Sequence, residues 1–207
     1  MRDEAIGEWL DRLASAAPAP GGGAAAALNA ATGAALVSMV CNLTIGKPKY
    51  KEHELTMTDV LSKSEELRRE ALRLAEEDAK AFTEVMGAYG MPKNTDEQKD
   101  TRRESIQRAL VGAAEVPLRI AAVSADVIAL AGRIMDGANA NVLSDVAVAA
   151  DSARAGLRSA SINVEINLSS MKDANRRDSI AAELERHLDA LMNADAIVAT
   201  VAERIKG

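Results

Sequence analysis

The chain has 207 residues, of which 48% are hydrophobic and only 2% aromatic, and its formal net charge is −6. A chain of this length can bury one substantial core, so a single domain over residues 1–207 is expected. The acidic balance excludes a nucleic-acid surface that depends on basic charge and favours a small-molecule partner. Few aromatic residues and many Ala, Leu, Glu and Arg favour helices over sheets, so the predicted fold class is all-α.

The sequence also gives an expectation for the cellular location of the protein. Its one cysteine, Cys41, cannot form an intrachain disulfide, and the charged first residues lack the apolar core of a secretory signal, so we expect a cytoplasmic protein. The uncharged segment 24–45 has the length of a membrane span. Its many small and polar residues contribute little to insertion, so a buried helix is the better interpretation and no membrane partner is expected.

The first predicted elements are an amphipathic helix over residues 3–14 and a loop at 18–23. The loop sequence Pro-Ala-Pro-Gly-Gly-Gly ends the helix, because prolines disfavour helix before them and glycines adopt angles closed to other residues. The uncharged helix 24–45 follows. Its start offers free backbone N–H groups and the positive end of the helix dipole, which together can hold a carboxylate or phosphate. A turn whose glycines serve only close packing is the alternative.

Residues 46–50 break the pattern, and apolar spacing then predicts a long helix to about Ala88. Lys47, Lys49 and Lys51 concentrate positive charge in an acidic protein, so they are candidates for recruiting an anionic substrate. Ordinary solvated lysines are the alternative.

A further break at residues 90–94 precedes Thr95, which has capping-box spacing to Gln98. The spacing predicts a helix from there to about Met135, with a kink near Pro117.

Residues 137–141 form the next break, and apolar positions at alternating three- and four-residue steps predict a long helix over 142–171. Period-two alternation over 162–168 would suit a strand, but no partner strand is visible. A last helix is predicted over 173–206. Five or six long helices of this kind make an elongated bundle.

Asn141 and Asp145 are four residues apart, which would place an amide and a carboxylate on one face of a helix. Such a pair can orient a water molecule and stabilise a cation. A capping pair at the start of a helix is the alternative interpretation.

Metal and nucleotide chemistry have little support in the sequence. His53 and His187 lack a Glu-x-x-His or His-Glu-x-x-His partner, and Cys41 in its apolar segment is typical of a packed thiol. The glycine loop has neither a P-loop Lys-Ser/Thr pair nor a dinucleotide fingerprint. We therefore expect no metal and no cofactor.

Taken together, several blocks resemble the cyclodeaminase/cyclohydrolase family. The blocks are Pro18-Ala19-Pro20-Gly21-Gly22-Gly23, Asn42-Leu43-Thr44-Ile45-Gly46-Lys47-Pro48-Lys49-Tyr50, Glu77-Asp78-Ala79-Lys80-Ala81-Phe82, Met91-Pro92-Lys93, Asn139-Ala140-Asn141-Val142-Leu143-Ser144-Asp145 and Asn163-Val164-Glu165-Ile166-Asn167-Leu168. They extend over nearly the whole chain. The family includes the cyclodeaminase half of formiminotransferase-cyclodeaminase and stand-alone bacterial methenyltetrahydrofolate cyclohydrolases.

The resemblance implies a helical homodimer with a folate site near the glycine loop, and it marks candidate residues. The catalytic candidates are Asp145, Asn141 and Lys47. The substrate-binding candidates are Gly21, Gly22, Gly23, Lys49, Tyr50, Asn139, Asn163 and Asn167. Two residues depart from the family pattern: Ala24 stands where Ser often follows the glycines, and Ala138 where Gly often precedes the first Asn.

The activity implied is hydrolysis of 5,10-methenyltetrahydrofolate to 10-formyltetrahydrofolate. The alternative within the family is formiminotetrahydrofolate cyclodeaminase, which closes the same ring with loss of ammonia. From the residues alone, a non-catalytic helical oligomer that uses its glycines and asparagines only for packing and caps is a third possibility.

Overall fold

The computed structural model describes residues 4–206. Within this range the chain forms helices and no strand, so the all-α prediction is confirmed and the strand alternative at 162–168 is wrong. Asp3, at the predicted start of the first helix, lies outside the described residues. The helices are α1 (Ile6–Leu13), α2 (Gly22–Asn42), α3 (Glu54–Tyr89), α4 (Asp96–Ile134), α5 (Leu143–Ser169), α6 (Ala174–Leu188) and α7 (Ala190–Lys206), with 3₁₀ turns at Pro48–His53 and Ala140–Val142.

The long helices α2, α3, α4 and α5 form an elongated antiparallel bundle. Helix α2 packs between α3 and α5, and α4 packs against the same two helices from the other side. The short connections between successive helices require this up-and-down order. The 39 residues of α4 make it roughly 58 Å long. Helices α6 and α7 cover α4 and α5, and one apolar core takes side chains from all seven helices of the described range.

The uncharged helix α2 lies in the middle of this core. Its small residues let α5 approach closely, because a Cβ at Gly33 would lie 2.8 Å from the Ala149 carbonyl oxygen and one at Gly156 would lie 3.0 Å from that of Ala26. Among residues 4–206, α2 alone is long and apolar enough to cross a membrane, and its larger part is buried against the other helices. The prediction of a buried helix is confirmed.

Most helix boundaries follow the sequence prediction, and one does not. Thr95 and Gln98 form the predicted capping box at the start of α4, and the helix continues without a break through the buried Pro117. The single helix predicted over 173–206 is wrong, because it is interrupted at Asp189. At this point the backbone N–H of Asp189 donates to the carbonyl oxygen of His187, although the backbone angles of Asp189 stay helical.

The antiparallel arrangement gives the bundle two ends, which matter for the site. The glycine end holds the start of α2, the end of α3, the start of α4 and the end of α5. The lysine end holds the opposite termini of these helices together with both 3₁₀ turns. The 21 residues of α2 separate the two ends by roughly 30 Å.

Candidate functional site

A cavity of about 260 Å³ opens at the glycine end, where α2 begins between α3 and α5. The glycine loop forms one wall, and α3, α4 and α5 form the others. The lining residues are Pro18, Ala19, Gly21, Gly22, Gly23, Asp78, Ala79, Ala81, Phe82, Val85, Ala113, Asn163, Ile166 and Asn167. The cavity therefore brings together the glycine loop and two of the predicted asparagines.

Asp78 is the carboxylate of this cavity, and it lies against the first turn of α2. It accepts a hydrogen bond from the backbone N–H of Ala24, which lowers its pKa, but burial has the larger effect and raises the pKa above the ordinary value. A Cβ at position 23 would lie 2.0 Å from the Asp78 Oδ1 atom, so only glycine leaves room for the carboxylate. One of the N–H groups predicted to bind a ligand anion is thus held by the protein's own Asp78.

Asn163 and Asn167 line the same cavity one helical turn apart on α5. The Nδ2 atom of Asn163 donates to the Ser159 carbonyl at 2.7 Å, and that of Asn167 donates to the Asn163 carbonyl at 2.7 Å and to the Ala113 carbonyl at 3.0 Å. Among the described residues, no hydrogen bond reaches either Oδ1 atom. These amide oxygens are therefore free to accept hydrogen bonds from a ligand.

The rest of the cavity wall is apolar. Phe82, Val85 and Ile166 line it, and Phe82 and Ile166 are 41% and 66% exposed. Apolar walls with a few placed polar groups are typical of small-molecule pockets. A carboxylate and two amide oxygens suit a ligand that carries N–H donors and positive charge.

Tyr50 and Asn139 form a second predicted group at the lysine end, where they join the two 3₁₀ turns. The Tyr50 hydroxyl accepts a hydrogen bond from the Ala140 N–H at 3.0 Å and donates to the Asn139 Oδ1 atom at 3.4 Å. The bond from Ala140 lowers the Tyr50 pKa, and the positive charges of Lys49 and Lys47 act in the same direction. The Tyr50 hydroxyl is therefore easier to ionise than an ordinary tyrosine.

Asn139 is held by the end of α2. Its backbone N–H donates to the Thr44 hydroxyl at 3.1 Å, and its Nδ2 atom donates to the Leu43 carbonyl at 2.9 Å. Its side chain is nearly fully buried. Through these hydrogen bonds, Asn139 connects the end of α2 to the turn that precedes α5.

The predicted shared helix face of Asn141 and Asp145 is wrong. Asn141 belongs to the 3₁₀ turn, and Val142 has non-helical angles of φ −127° and ψ 21° before α5 begins at Leu143. The four-residue spacing therefore does not run through a continuous α-helix. Asp145 lies half-buried in the first turn of α5, where a carboxylate stabilises the helix dipole.

The predicted site residues thus fall into two groups that do not meet within one chain. The glycine end holds Gly21, Gly22, Gly23, Asn163 and Asn167. The lysine end holds Lys47, Lys49, Tyr50, Asn139, Asn141 and Asp145. Roughly 30 Å of α2 separates them.

Asp78 is the residue that reasoning from the sequence missed. It lies in one of the blocks that carry the family resemblance, but nothing in its sequence neighbourhood marks it among the many acidic residues of α3. A signal was available in Gly23, because a third consecutive glycine at the start of a helix indicates close approach of another group.

The described residues contain no cluster of three or more His, Cys, Asp or Glu side chains placed to hold a metal ion. The thiol of Cys41 is buried, and burial raises its pKa to about 11. It is therefore protonated and unreactive at neutral pH, as expected of a packed thiol.

The fold and cavity define an all-α protein with a candidate small-molecule cavity at the glycine-initiated end of a core helix. The sequence profile described as Formiminotransferase-cyclodeaminase matches residues 5–186. The chain belongs to the formiminotransferase-cyclodeaminase family, and the resemblance found in the sequence is confirmed.

Three relatives illustrate the family. Methenyltetrahydrofolate cyclohydrolase of Methylorubrum extorquens is 52% identical over 88% of each chain. Formimidoyltransferase-cyclodeaminase of Rattus norvegicus is 34% identical over 84% of this chain, which corresponds to 32% of the rat protein. The crystal structure of formiminotetrahydrofolate cyclodeaminase from Thermotoga maritima superposes with a TM-score of 0.88 and 30% identity, covering 100% of this chain and 99% of that one.

Proposed function

We propose that this chain is a methenyltetrahydrofolate cyclohydrolase, an enzyme that hydrolyses 5,10-methenyltetrahydrofolate to 10-formyltetrahydrofolate. The 52% identity to the Methylorubrum enzyme, over most of both chains, supports this activity over the others in the family. The structural observation that carries the proposal is Asp78, a half-buried carboxylate beside two amide oxygens that accept no hydrogen bond within the described residues, all lining one cavity.

The cavity chemistry matches the reaction. The methenyl carbon is part of a cationic amidinium, and a carboxylate such as that of Asp78 stabilises this charge. Water adds to the carbon and loses one proton to the carboxylate, which gives a neutral hydroxyl adduct. The bond from the carbon to N5 then breaks as the hydroxyl loses its proton and N5 gains one, so the formyl group stays on N10 and one proton is released overall. A carboxyl group whose pKa is raised by burial is a better general base than an exposed one. The oxygens of Asn163 and Asn167 accept hydrogen bonds from N–H groups of the pterin ring.

The active form is proposed to be a homodimer, and the support comes from one face of α2. Most of this helix is buried in its own chain, but a stripe of uncharged residues stays partly exposed and is centred on Thr32. Its members are Ala25, Leu28, Asn29, Thr32, Ala35, Leu36 and Met39. The neighbouring helix α5 adds Val148 and Ile162, which are 51% and 64% exposed. An exposed face without charges suits a two-fold dimer, in which each copy would cover the face of the other.

A two-fold axis through Thr32 would pair the stripes in antiparallel fashion. The glycine end of one copy would then face the lysine end of the other, and the two groups of predicted residues would meet across the interface. Lys47, Asn141 and Asp145 would act on a substrate bound in the cavity of the second copy. This arrangement accounts for the separation of the two groups within one chain.

Subunit mixing tests this arrangement. Asp78→Asn removes the carboxylate at the glycine end, and Lys47→Ala removes the lysine side chain at the lysine end. Each variant by itself should therefore have low activity at low substrate concentration. After the two are denatured and refolded together, about a quarter of the sites would be intact if each site uses both copies. Unrecovered activity, or a monomer by light scattering at micromolar concentration, would refute the shared site. Mixing Asp78→Asn with itself is the control.

The second candidate is formiminotetrahydrofolate cyclodeaminase, which the rat and Thermotoga relatives favour. Purified protein should be incubated separately with methenyl- and formimino-tetrahydrofolate while methenyl absorbance and ammonia release are followed. Loss of methenyl absorbance without ammonia supports the cyclohydrolase. Ammonia release with a rise in that absorbance supports the cyclodeaminase instead. Asp78→Asn, which keeps the shape of the side chain, is the control for non-enzymatic hydrolysis.

We also propose a cytoplasmic location and a reaction that needs no metal and no redox cofactor. The first rests on the single cysteine, Cys41, which is buried and cannot form an intrachain disulfide. The second rests on the chemistry, because adding water to an amidinium transfers no electrons. The proposed partners are the folate substrate and a second copy of the chain, without nucleic acid or membrane.

A further inference from the structure

The proposed hydrolysis needs a proton donor as well as a base. When the bond from the methenyl carbon to N5 breaks, N5 takes the bonding electron pair and becomes an amine only if a proton arrives with it. Asp78, which takes a proton from the attacking water, lies at the glycine end. The lysine end of the second copy, which would face this cavity across the proposed interface, is where a separate donor can be sought.

A neutral donor suits this substrate better than a charged one. The amidinium is cationic, so the ammonium groups of Lys47 and Lys49 would be repelled by it at close range. The hydroxyl group of Tyr50 has no charge and carries a proton that can be transferred. It lies in the same 3₁₀ turn, at the lysine end.

The Tyr50 oxygen is held in place while its proton is only loosely engaged. The oxygen accepts a hydrogen bond from the Ala140 N–H at 3.0 Å. The hydroxyl donates to the Asn139 Oδ1 atom at 3.4 Å, which is long compared with the usual distance of about 2.7–2.8 Å. That Oδ1 atom also accepts from the Asn141 N–H at 3.2 Å. Turning the Tyr50 proton toward a ligand therefore leaves no acceptor without a partner.

The surroundings of Tyr50 stabilise the phenolate that proton transfer leaves behind. The hydrogen bond from the Ala140 N–H becomes stronger when the oxygen is negative. The Lys49 Nζ atom lies 5.4 Å from the centre of the Tyr50 ring. The bond from Ala140 and the charges of Lys49 and Lys47 lower the pKa of Tyr50. The segment 139–142, which supplies the hydrogen bonds, has no charged residue to oppose this effect.

We propose that Tyr50 donates a proton to N5 of a substrate bound in the cavity of the second copy. This inference rests on the proposed function and on the proposed site between two copies. Once water has added and Asp78 has taken its first proton, the bond to N5 breaks and the Tyr50 proton moves to N5 with the electron pair. The adduct hydroxyl becomes the formyl carbonyl and returns its proton to Tyr50. Asp78 then releases its proton to water, so one proton leaves per turnover.

Removing the hydroxyl alone tests this role. Tyr50→Phe keeps the ring beside Lys49, and its kcat for methenyltetrahydrofolate should fall by about 100-fold or more, as for loss of a positioned acid. KM should change by less than about threefold, because the lost interaction acts in the transition state. Tyr89→Phe is the matched control and should keep the wild-type kcat. It makes the same change in the second tyrosine, whose hydroxyl has no hydrogen bond among the described residues. A wild-type kcat in Tyr50→Phe, or a change in KM alone, would overturn the proposal.

Refolded mixtures of variants test which copy Tyr50 serves. When Tyr50→Phe is mixed with Asp78→Asn, about a quarter of the sites should be intact, because one site of each mixed dimer has both groups. When Tyr50→Phe is mixed with Lys47→Ala, no intact site forms, since both changes lie at the lysine end. Equal recovery in the two mixtures, or recovery in neither, would contradict a proton donor that acts across the interface.

A change in hydroxyl acidity separates proton donation from a structural role. 3-Fluorotyrosine at position 50 keeps the hydroxyl and makes it more acidic. A donor must hold its proton, so kcat should fall as pH rises through the pKa of the hydroxyl, and the substitution should move this fall to lower pH. An unmoved pH profile would reject Tyr50 as the donor. Turnover by the unchanged protein alone decides the proposed function, so the two can fail separately.

Discussion

Replacing Gly23 by alanine tests the central contact of the candidate site. The new Cβ would lie 2.0 Å from the Asp78 Oδ1 atom and 2.4 Å from its Cγ atom, so the carboxylate must retreat by more than 1 Å. Forcing an extra carbon into such a space costs about 1–3 kcal/mol. Losing the charged hydrogen bond from the Ala24 N–H costs about 1.5–3 kcal/mol. Removing a glycine from the helix returns at most about 1 kcal/mol.

The balance is a destabilisation of roughly 1.5–5 kcal/mol, which thermal or urea denaturation would detect. Turnover of methenyltetrahydrofolate should fall by at least about 100-fold, because the displaced carboxylate no longer reaches its position. Gly87→Ala on α3 is the control, since its Cβ would meet nothing within 4 Å, and it should be neutral or stabilising.

A double-mutant cycle isolates the clash from other effects of the alanine. In an Asp78→Ala background the obstructing carboxylate is gone, so adding Gly23→Ala should cost little or should stabilise the helix. Two results would contradict the contact between the Asp78 carboxylate and Gly23. One is a Gly23→Ala protein as stable and active as Gly87→Ala, and the other is an equal loss of stability when Gly23→Ala is added to the Asp78→Ala protein.

Three further predictions concern the charged residues. Asp145→Asn should lower turnover by roughly 10²- to 10⁴-fold with folding retained; full activity would leave Asp145 as a helix-start residue only. Lys47→Ala should raise KM more than it lowers kcat if the lysine holds the first glutamate of the substrate, and loss of kcat at constant KM would place it at the reacting carbon. Because the pKa of Asp78 is raised above 3.8, the unfolded chain ionises first as pH rises. Stability relative to Asp78→Asn should therefore fall from pH 3.8 up to the folded-state pKa and then level off, and parallel urea curves at all pH values would refute this.

Local patterns in the sequence were sufficient for most of the fold. The capping box from Thr95 to Gln98 and the glycine loop are local signals, and both mark real helix starts. The interruption at Asp189 carries no such signal, because no proline or glycine accompanies it. The prediction that Asn141 and Asp145 share a helix face was wrong for a related reason. The non-helical backbone angles of Val142 break the helical register between the two residues, and their spacing in the sequence does not reveal this.

The site was harder to predict than the fold because it depends on contacts between helices. Asp78 is one acidic residue among many until the start of α2 packs against it and partly shields it from water. The division into two ends, by contrast, follows from the antiparallel order of the helices. The loops at 46–50 and 137–141 must lie at one end of such a bundle, and the loops at 18–23 and 90–94 at the other.

The bond between Asp78 and the Ala24 N–H has a consequence for motion. A general base carries a proton during part of every catalytic cycle, and a neutral carboxyl group is a weaker acceptor than a carboxylate. The first turn of α2 is therefore held less firmly whenever Asp78 is protonated. In the proposed mechanism, in which Asp78 is the base, each turnover therefore weakens and then restores the hydrogen bond that holds the first turn of α2 against α3.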